Sequence, residues 1–296
     1  MPIITLSAEK ALRKEFIERA IITKMNPQLI FKDLFPVVDL GGSSTFMFYR
    51  DDESAEDDIQ KGVMSEPLEM SELGAMSKIE VSSISKEIGD TYQFGYSIEF
   101  SDKMKRENGF IDEVMRAYDR AAYGMARKIN LDIFNAIDTF AAADPITLND
   151  GAWKTSSKIN EDIIDMKKSF EGQVGWDYTL TDLFTPTDNY YEVQKFYSAL
   201  DTFNPANTEG TKLTNVKTVI PKGTVYGIDK NIKPLTIYKN VDSDHSTVEG
   251  GLINVNVWED PNYPFKHHIE LWAEMGIVSK HQSNKIIDID NQVGGI

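Results

Sequence analysis

The most regular hydrophobic pattern in the chain runs from Phe110 to Phe140 and predicts one long amphipathic helix. Apolar residues recur there at steps of three and four, which places them on a single helical face. They are Phe110, Val114, Met115, Ala121, Ala122, Met125, Ile129, Ile133, Phe134, Ile137 and Phe140. Asp112 and Glu113 follow the break at Asn108-Gly109 and put negative charge in the first turn, where the helix dipole favours it. At 1.5 Å per residue the helix is roughly 45 Å long and needs an equally long surface to pack against.

The region before this helix alternates between apolar and polar residues and predicts strands around a long polar stretch. We expect strands at 45–50, 78–84 and 91–100, with Gly89-Asp90 as the turn between the last two. The polar stretch between the first two strands is too long for an ordinary connection. Loops of that length are usually functional or interacting.

Both ends of the chain carry weaker patterns. An amphipathic helix is predicted at 7–24, with Ser7 as its cap and Pro27 as its stop. After the long helix we expect helices at 159–170 and 188–200, and a turn-rich segment at 201–215. The expected later strands are 178–184, 216–220, 224–228, 235–238, 252–258, 267–278 and 285–290. Mixed helices and short, mostly non-local strands predict an α+β fold with an α/β subdomain.

Composition and charge exclude several classes of protein. The chain has 296 residues with 41% apolar content and no cysteine, so disulfides, zinc-thiolate sites and cysteine nucleophiles are ruled out. No apolar run reaches the length of a membrane span. The net charge of −16 is opposite to that of a general nucleic-acid binder.

The charge is unevenly distributed. Through Lys32 the net charge is +3, which makes the N-terminal region the part of the chain suited to a polyanion. Its basic residues before Lys32 are Lys10, Arg13, Lys14, Arg19 and Lys24. An N-terminal segment of this kind cannot bury its own apolar face, so it is either an ordinary docked first helix or an arm that clasps another subunit.

The long polar stretch begins with an acidic run. Its acids are Asp51, Asp52, Glu53, Glu56, Asp57 and Asp58. A solvated loop is the ordinary interpretation of such a run. A calcium site is the alternative, but the alternating Asp pattern and central Gly of an EF-hand loop are missing.

No catalytic arrangement emerges from the remaining chemistry-bearing residues. His267 and His268 are adjacent in a predicted strand, so they face opposite sides and cannot jointly bind one metal. The chain has no Gly-rich phosphate loop, no G-x-S-x-G and no H-E-x-x-H motif. We therefore expect no catalytic residue, no cofactor and no metal site.

The order of the parts resembles the major capsid protein of tailed double-stranded DNA viruses, the fold named after phage HK97. The resemblance covers nearly the whole chain. Its most specific stretch is 84–104, where a strand pair ends in the Ser101-Asp102 step before the long helix. Residues 181–191 look like the strand-to-helix step of that fold's axial domain, and 222–229 and 269–273 look like its later strands.

The resemblance implies an HK97-like capsid fold with five parts. They are an N-terminal arm (1–44), an extended β loop (45–78), a peripheral domain (79–144) with a spine helix (110–140), an axial α/β domain (145–250), and return strands of the peripheral domain (251–296). It also implies a shell of hexamers and pentamers in the virion, assembled in the host cytoplasm, with portal and scaffolding or cement proteins as partners. A scaffolding segment is not recognised before the arm, so we expect a separate scaffolding protein or a trimmed chain.

The resemblance also assigns roles to the two charged segments. The arm would face packaged DNA, and the acidic loop would lie across a neighbouring subunit. Some members crosslink a loop lysine to a neighbour's asparagine, and Lys61 near the loop tip is the candidate here.

Two other functions remain open at this point. An encapsulin, a cellular compartment that encloses a cargo enzyme, shares the fold and begins with a helix. An acidic metal-dependent hydrolase is the remaining alternative, and only the abundance of carboxylates favours it.

Overall fold

The structure is a computed structural model with five α-helices, a short 3-10 helix (Asn26–Gln28) and eleven strands in the part of the chain it describes. The described residues are 12–31, 35–51, 84–107, 109–139, 153, 158–171, 179–199, 212–216, 224–231, 233, 235–241, 252–263, 265–279 and 286–290. The helices are α1 (Lys14–Met25), α2 (Asp102–Lys105), α3 (Phe110–Thr139), α4 (Ile159–Glu171) and α5 (Thr187–Ala199). The predicted long helix is thus confirmed to within one residue. The predicted 7–24 helix is confirmed from Lys14 onward, but Leu12 and Arg13 are not helical, and residues 7–11 lie outside the described part of the chain.

The strands form three sheets. They are β1 (Val37–Asp39), β2 (Thr45–Asp51), β3 (Ile84–Asp90), β4 (Tyr92–Ser101), β5 (Asp182–Thr185), β6 (Lys212–Asn215), β7 (Thr224–Ile228), β8 (Leu235–Lys239), β9 (Asn254–Glu259), β10 (Lys266–Ser279) and β11 (Ile286–Asp290). One sheet has the order β1-β8-β10-β4, with β9 also pairing with β10. A second has the order β11-β7-β5-β6, and β2 pairs with β3 in a third. Together with the helices these sheets confirm the α+β class.

The chain divides into two compact units. The first contains residues 1–46, 88–133 and 237–278, and the second contains 47–87, 134–236 and 279–296.

The first unit is built on the antiparallel pairing of β4 with β10. Ten positions pair without interruption, from Lys266 opposite Ser101 to Met275 opposite Tyr92. Because side chains alternate along a strand, one face of this pair carries Phe100 and Ile269 and the other carries Glu99 and His268. The two faces therefore differ sharply in polarity.

Helix α3 packs on the apolar face of that pair. Its buried side chains include Phe110, Tyr118, Met125 and Ile129, and the Phe110 ring lies 5.7 Å from the Phe100 ring. Gly109 precedes the helix with φ +99°, a left-handed conformation that glycine adopts without strain. The apolar spacing read from the sequence thus corresponds to the buried face of the helix.

Helix α1 lies beside α3 and is tied to it by polar contacts. Lys24 forms an ion pair with Asp119. The Asn130 side chain, which is buried in α3, accepts from the Ile30 N–H at 3.0 Å and donates to the Gln28 carbonyl at 2.7 Å. Asn130 therefore satisfies the backbone of the chain as it leaves α1.

The second unit has its own core beneath the β11-β7-β5-β6 sheet. Strand β5 is buried along its whole length and pairs in parallel with β6 and antiparallel with β7. Trp153 is fully buried among Ile163, Met166 and Leu183, and its indole Nε1–H donates to Asp162 Oδ2 at 2.8 Å. The hydrogen bond satisfies the polar atom of a large apolar side chain.

Four sequence expectations need correction. Gly89 and Asp90 are the last residues of β3 and not a hairpin turn, since β3 pairs with β2 and β4 pairs with β10. The segment 201–215 ends in the strand β6, whose four residues include only one buried apolar side chain, Leu213. Of the predicted strand at 178–184, only Asp182 onward is extended as β5. Strand β11 pairs with β7 in the second sheet and does not return beside β10. Its alternation of Ile and Asp indicates a strand but does not indicate which strand it pairs with.

Candidate assembly interface

The outer edge of the first sheet is a candidate surface for contact with another molecule. Strand β4 ends the strand order, so one of its edges carries no paired strand within the ranges described. Unpaired strand edges offer rows of N–H and C=O groups to other chains. Tyr92 and Tyr96 on this strand are 40% and 49% exposed. Aromatic side chains of this kind supply much of the binding energy of protein interfaces.

The two tyrosines are held in position by α3. The Tyr92 hydroxyl donates to Asp132 Oδ2 at 2.9 Å, and Lys128 pairs with Asp132 Oδ1 at 2.6 Å. Burial, followed by the charge of Asp132 and its hydrogen bond, raises the pKa of the Tyr92 phenol far above its ordinary value. A Cβ at Gly124 would stand 2.3 Å from the Tyr96 hydroxyl, so the ring lies where only glycine leaves room. The surface is therefore preorganised.

A buried histidine fixes the step from β4 into the helices. His267 Nε2 lies 2.8 Å from Asp102 Oδ1 and 2.7 Å from Lys105 Nζ, and its ring stacks on Phe100 at 5.4 Å. Hydrogen bonds from Lys105 and then from His267 lower the pKa of Asp102. The Ser101 side chain accepts from the Met104 N–H and caps α2. This cluster fixes the step from β4 into α2.

His268 occupies the opposite face, as its place in the strand predicts. Its ring stacks on Trp258 at 4.2 Å, and its Nδ1 lies 3.6 Å from Glu99. Glu99 also pairs with Lys266 at 2.5 Å, and this hydrogen bond is the main reason for its lowered pKa. The two histidines therefore lie on opposite faces of β10 and belong to separate clusters.

A third cluster surrounds Glu274 on the same face as His268. Its carboxylate accepts from Thr91 Oγ1 at 2.5 Å and from Gln93 Nε2 at 2.8 Å. Burial alone would raise the pKa of Glu274, but hydrogen bonds from Thr91, Gln93 and Asn240 outweigh it and lower the pKa. The cluster joins β4, β10 and the end of β8, because the Asn240 N–H also donates to the Glu274 carbonyl at 3.0 Å.

We expect Glu274→Gln to destabilise the subunit at neutral pH by about 1–2 kcal/mol, because the amide cannot accept from Thr91 and Gln93 as a carboxylate does. The folded-state pKa lies below the ordinary value of 4.5. The stabilisation is therefore complete above pH 4.5 and is lost as pH falls through the lower folded-state pKa. Urea denaturation of unassembled subunits at pH 7 and pH 3.5 measures it. An equal difference between variant and wild type at both pH values would contradict the assignment.

The sequence-predicted site residues lie in two groups. In the arm, Arg13 precedes α1 and is exposed, Lys14 is half-buried, Arg19 is exposed, and Lys24 pairs with Asp119. Asp51 ends β2. The other predicted residues lie outside the described part of the chain: Lys10, Asp52, Glu53, Glu56, Asp57, Asp58 and Lys61. Tyr92, Tyr96 and Asn130 carry no signal in the sequence that would mark them as interface or tethering residues, because their partners lie on other elements.

The described residues also limit other functions. Among them, no group of three or more His, Asp or Glu side chains is arranged to hold a metal ion. Within the same ranges, no helix is both long and apolar enough to cross a bilayer.

Comparison with known proteins identifies the fold. The structure is similar to the virus-like particle protein of Pyrococcus furiosus, with a TM-score of 0.56, 10% identity, and coverage of 92% of this chain and 97% of the other. A phage-related protein from Bordetella bronchiseptica gives a TM-score of 0.60 at 12% identity, covering 95% and 97%. The encapsulin SrpI of Synechococcus elongatus gives 0.58 at 7% identity, covering 90% and 88%. A comparison with curated proteins found no match.

These likenesses define an HK97-like shell protein fold. A family profile described as phage capsid protein matches residues 86–254, which is more than half of the chain. The chain belongs to this phage capsid protein family. It is therefore a structural component of the virion, a major capsid protein with the HK97 fold that self-assembles into an icosahedral shell. The resemblance drawn from the sequence is confirmed.

Proposed function

We propose that this capsid protein forms the shell of a tailed virus and encloses double-stranded DNA. The observation that carries the proposal is the uneven distribution of charge along this chain, which is acidic as a whole but basic near its N-terminus. Its N-terminal region through Lys32 has a net charge of +3, whereas the chain has −16. A basic segment on an acidic subunit attracts nucleic acid to one location and limits adhesion elsewhere.

The five parts implied by the sequence are proposed here with one change. Residues 1–44 form the arm, 45–78 the extended loop, 79–144 the peripheral domain and 145–250 the axial domain of hexamers and pentamers. The return strands are β9 and β10 alone, since β11 pairs within the second sheet. The acidic loop from Asp51 to Asp58, with Lys61, lies across a neighbouring subunit in this proposal.

Contacts of the arm with DNA are proposed to come mainly from Arg13 and Arg19, with Lys10 and Lys14. Both arginines are exposed, whereas Lys24 is engaged by Asp119 and has less charge to offer. A portal and a scaffolding or cement protein complete the particle, which is assembled in the host cytoplasm.

The test is to produce the chain with its neighbouring genes, purify particles, and treat them with nuclease. We expect icosahedral particles by electron microscopy that retain nuclease-protected double-stranded DNA when the packaging genes are present. Particles that hold only protein under the same conditions would contradict the proposal. Intact-mass measurement of the denatured particles also tests the Lys61 crosslink, which predicts a ladder of covalent oligomers.

An encapsulin-type compartment is the second candidate. Its support is the SrpI encapsulin among the similar structures and the amphipathic helix α1 near the N-terminus. The same particles distinguish the two functions, because a compartment would contain one dominant cargo protein and no protected DNA.

A further inference from the structure

The exposed side of α3 carries a row of arginines that the family assignment does not explain. Arg116, Arg120 and Arg127 are spaced by four and seven residues, so they project from one helical face. All three are exposed, and Tyr123 between them is 58% exposed. We call Arg116, Arg120 and Arg127 the arginine row.

The arginine row is not neutralised by any residue that the structure describes. None of its members makes an ion pair or hydrogen bond with another residue in the described ranges. The acids beside it are used by lysines instead, since Asp119 pairs with Lys24 and Asp132 pairs with Lys128. Asp112 and Glu113 lie in the first turn of the helix, one turn before Arg116. The stretch from Arg116 to Arg127 has a net positive charge, since its three arginines outnumber Asp119.

Arginine is concentrated in this layer of the first unit. The chain's arginines are Arg13, Arg19, Arg50, Arg106, Arg116, Arg120 and Arg127. Arg13 and Arg19 flank or lie in α1, the helix that the Lys24–Asp119 pair holds against α3. Five of the seven arginines therefore flank or lie in these two helices.

The opposite side of the same sheet has the opposite charge. On this face of β4 and β10 the three acids Glu99, Glu270 and Glu274 stand against one lysine, Lys266, and His268. The stretch of α3 from Arg116 to Arg127 is thus basic, with three arginines against Asp119, and the opposite face of the strand pair is acidic. Such a division orients a subunit in the field of a polyanion.

We propose that the arginine row binds the phosphate backbone of enclosed DNA, so that the helical side of the first unit faces the interior of the shell. This inference rests on the proposed function. The guanidinium fork suits phosphate oxygens, and no base contact is needed. Arg116 and Arg127 are about 17 Å apart along the helix axis. Duplex DNA carries one phosphate charge per ~1.7 Å of its axis, so a duplex segment as long as the arginine row carries about ten phosphates.

The first experiment measures binding of unassembled subunits to a random-sequence duplex at several NaCl concentrations by fluorescence anisotropy. The variant is Arg116→Gln/Arg120→Gln/Arg127→Gln, and glutamine preserves helix propensity. We expect its affinity near 0.1 M salt to fall at least about tenfold, and the slope of log K against log salt to decrease in magnitude by about 2–3. Replacing all three with lysine keeps the charge and should retain most of the binding.

The matched control removes three exposed cations of the second unit, Lys168→Gln/Lys195→Gln/Lys230→Gln. It changes net charge equally and should leave the salt slope near the wild-type value. Equal slopes for the two triple variants, or no measurable binding by the wild type, would overturn the inference. Circular dichroism of the variants confirms that α3 is intact.

The second experiment separates this inference from the proposed function. Particles that protect DNA equally well with and without the arginine row would leave the proposed function standing and overturn the inference. If the glutamine variant fails to form shells where no DNA is present, the row contacts another protein segment, such as the acidic loop of a second copy, and the inference is again overturned. A loss of protected DNA from normally formed shells supports it.

Discussion

Arg120→Pro should abolish shell assembly and destabilise the subunit by at least about 3 kcal/mol. Position 120 lies in the middle of α3, where proline removes the N–H that donates to the Arg116 carbonyl and its ring collides with that carbonyl. Beyond the break, Met125, Ile129 and Ile133 would lose their alignment on the buried face. The tyrosines of β4 would lose the helix surface that positions them. Chemical denaturation measures the stability loss, and negative-stain microscopy measures assembly.

Arg120→Ala is the control for this substitution. Position 120 is exposed, and alanine is a good helix former, so this variant should fold and unfold like the wild type. Assembly without DNA should also be retained, which separates the backbone effect from the loss of one charge. Normal shells from Arg120→Pro would show that α3 is not the element that organises the first unit.

The elements that the sequence predicted well are those whose period persists over many residues. Helix α3 was placed to within one residue because its buried positions repeat through eight turns. Strands β4 and β10 were placed almost as well, since both alternate along their whole lengths. In each case one continuous surface imposes one period on the side chains.

Short elements depended on contacts that the local sequence does not show. Gly89-Asp90 has the composition of a turn, but Gly89 lies against the Phe46 ring, where a Cβ would be 2.6 Å from Cζ. Strand β1 has three residues, all exposed, and is defined by its parallel pairing with β8. Tertiary pairing and not local preference determines such segments.

The candidate interface was predictable only in part. The basic arm stays a prediction from charge alone, whereas strand alternation correctly separates the two histidines. The exposure of Tyr92 and Tyr96 follows from the position of β4 at a sheet edge, and strand order cannot be read from alternation. The role of Asn130 could not be predicted for a similar reason. A polar residue on the buried face of a helix can be interpreted only when its hydrogen-bond partners, here the Ile30 N–H and the Gln28 carbonyl, are known.

Gly95→Ala should be the second most damaging substitution, with a cost of about 3 kcal/mol. A Cβ at Gly95 would stand 2.0 Å from the Leu271 carbonyl oxygen and 2.8 Å from the Trp272 Cα. Both are backbone atoms of β10, so no side-chain rotation relieves the overlap and β4 must move away from its partner. That movement breaks ladder hydrogen bonds on both sides of Gly95 and displaces Tyr92 and Tyr96. Reduced denaturation midpoints and slower particle formation measure the effect.

Ser97→Ala tests whether the Gly95 effect is steric. Ser97 lies on the same face of β4, two residues away, is exposed and pairs opposite Glu270. Its side chain makes no hydrogen bond in the described part of the chain, so removing the hydroxyl should change stability by less than about 0.5 kcal/mol. A similar loss for both variants would assign the effect to strand composition. A loss confined to Gly95→Ala means that the close approach of β4 to β10 sets the geometry of the unpaired edge of β4.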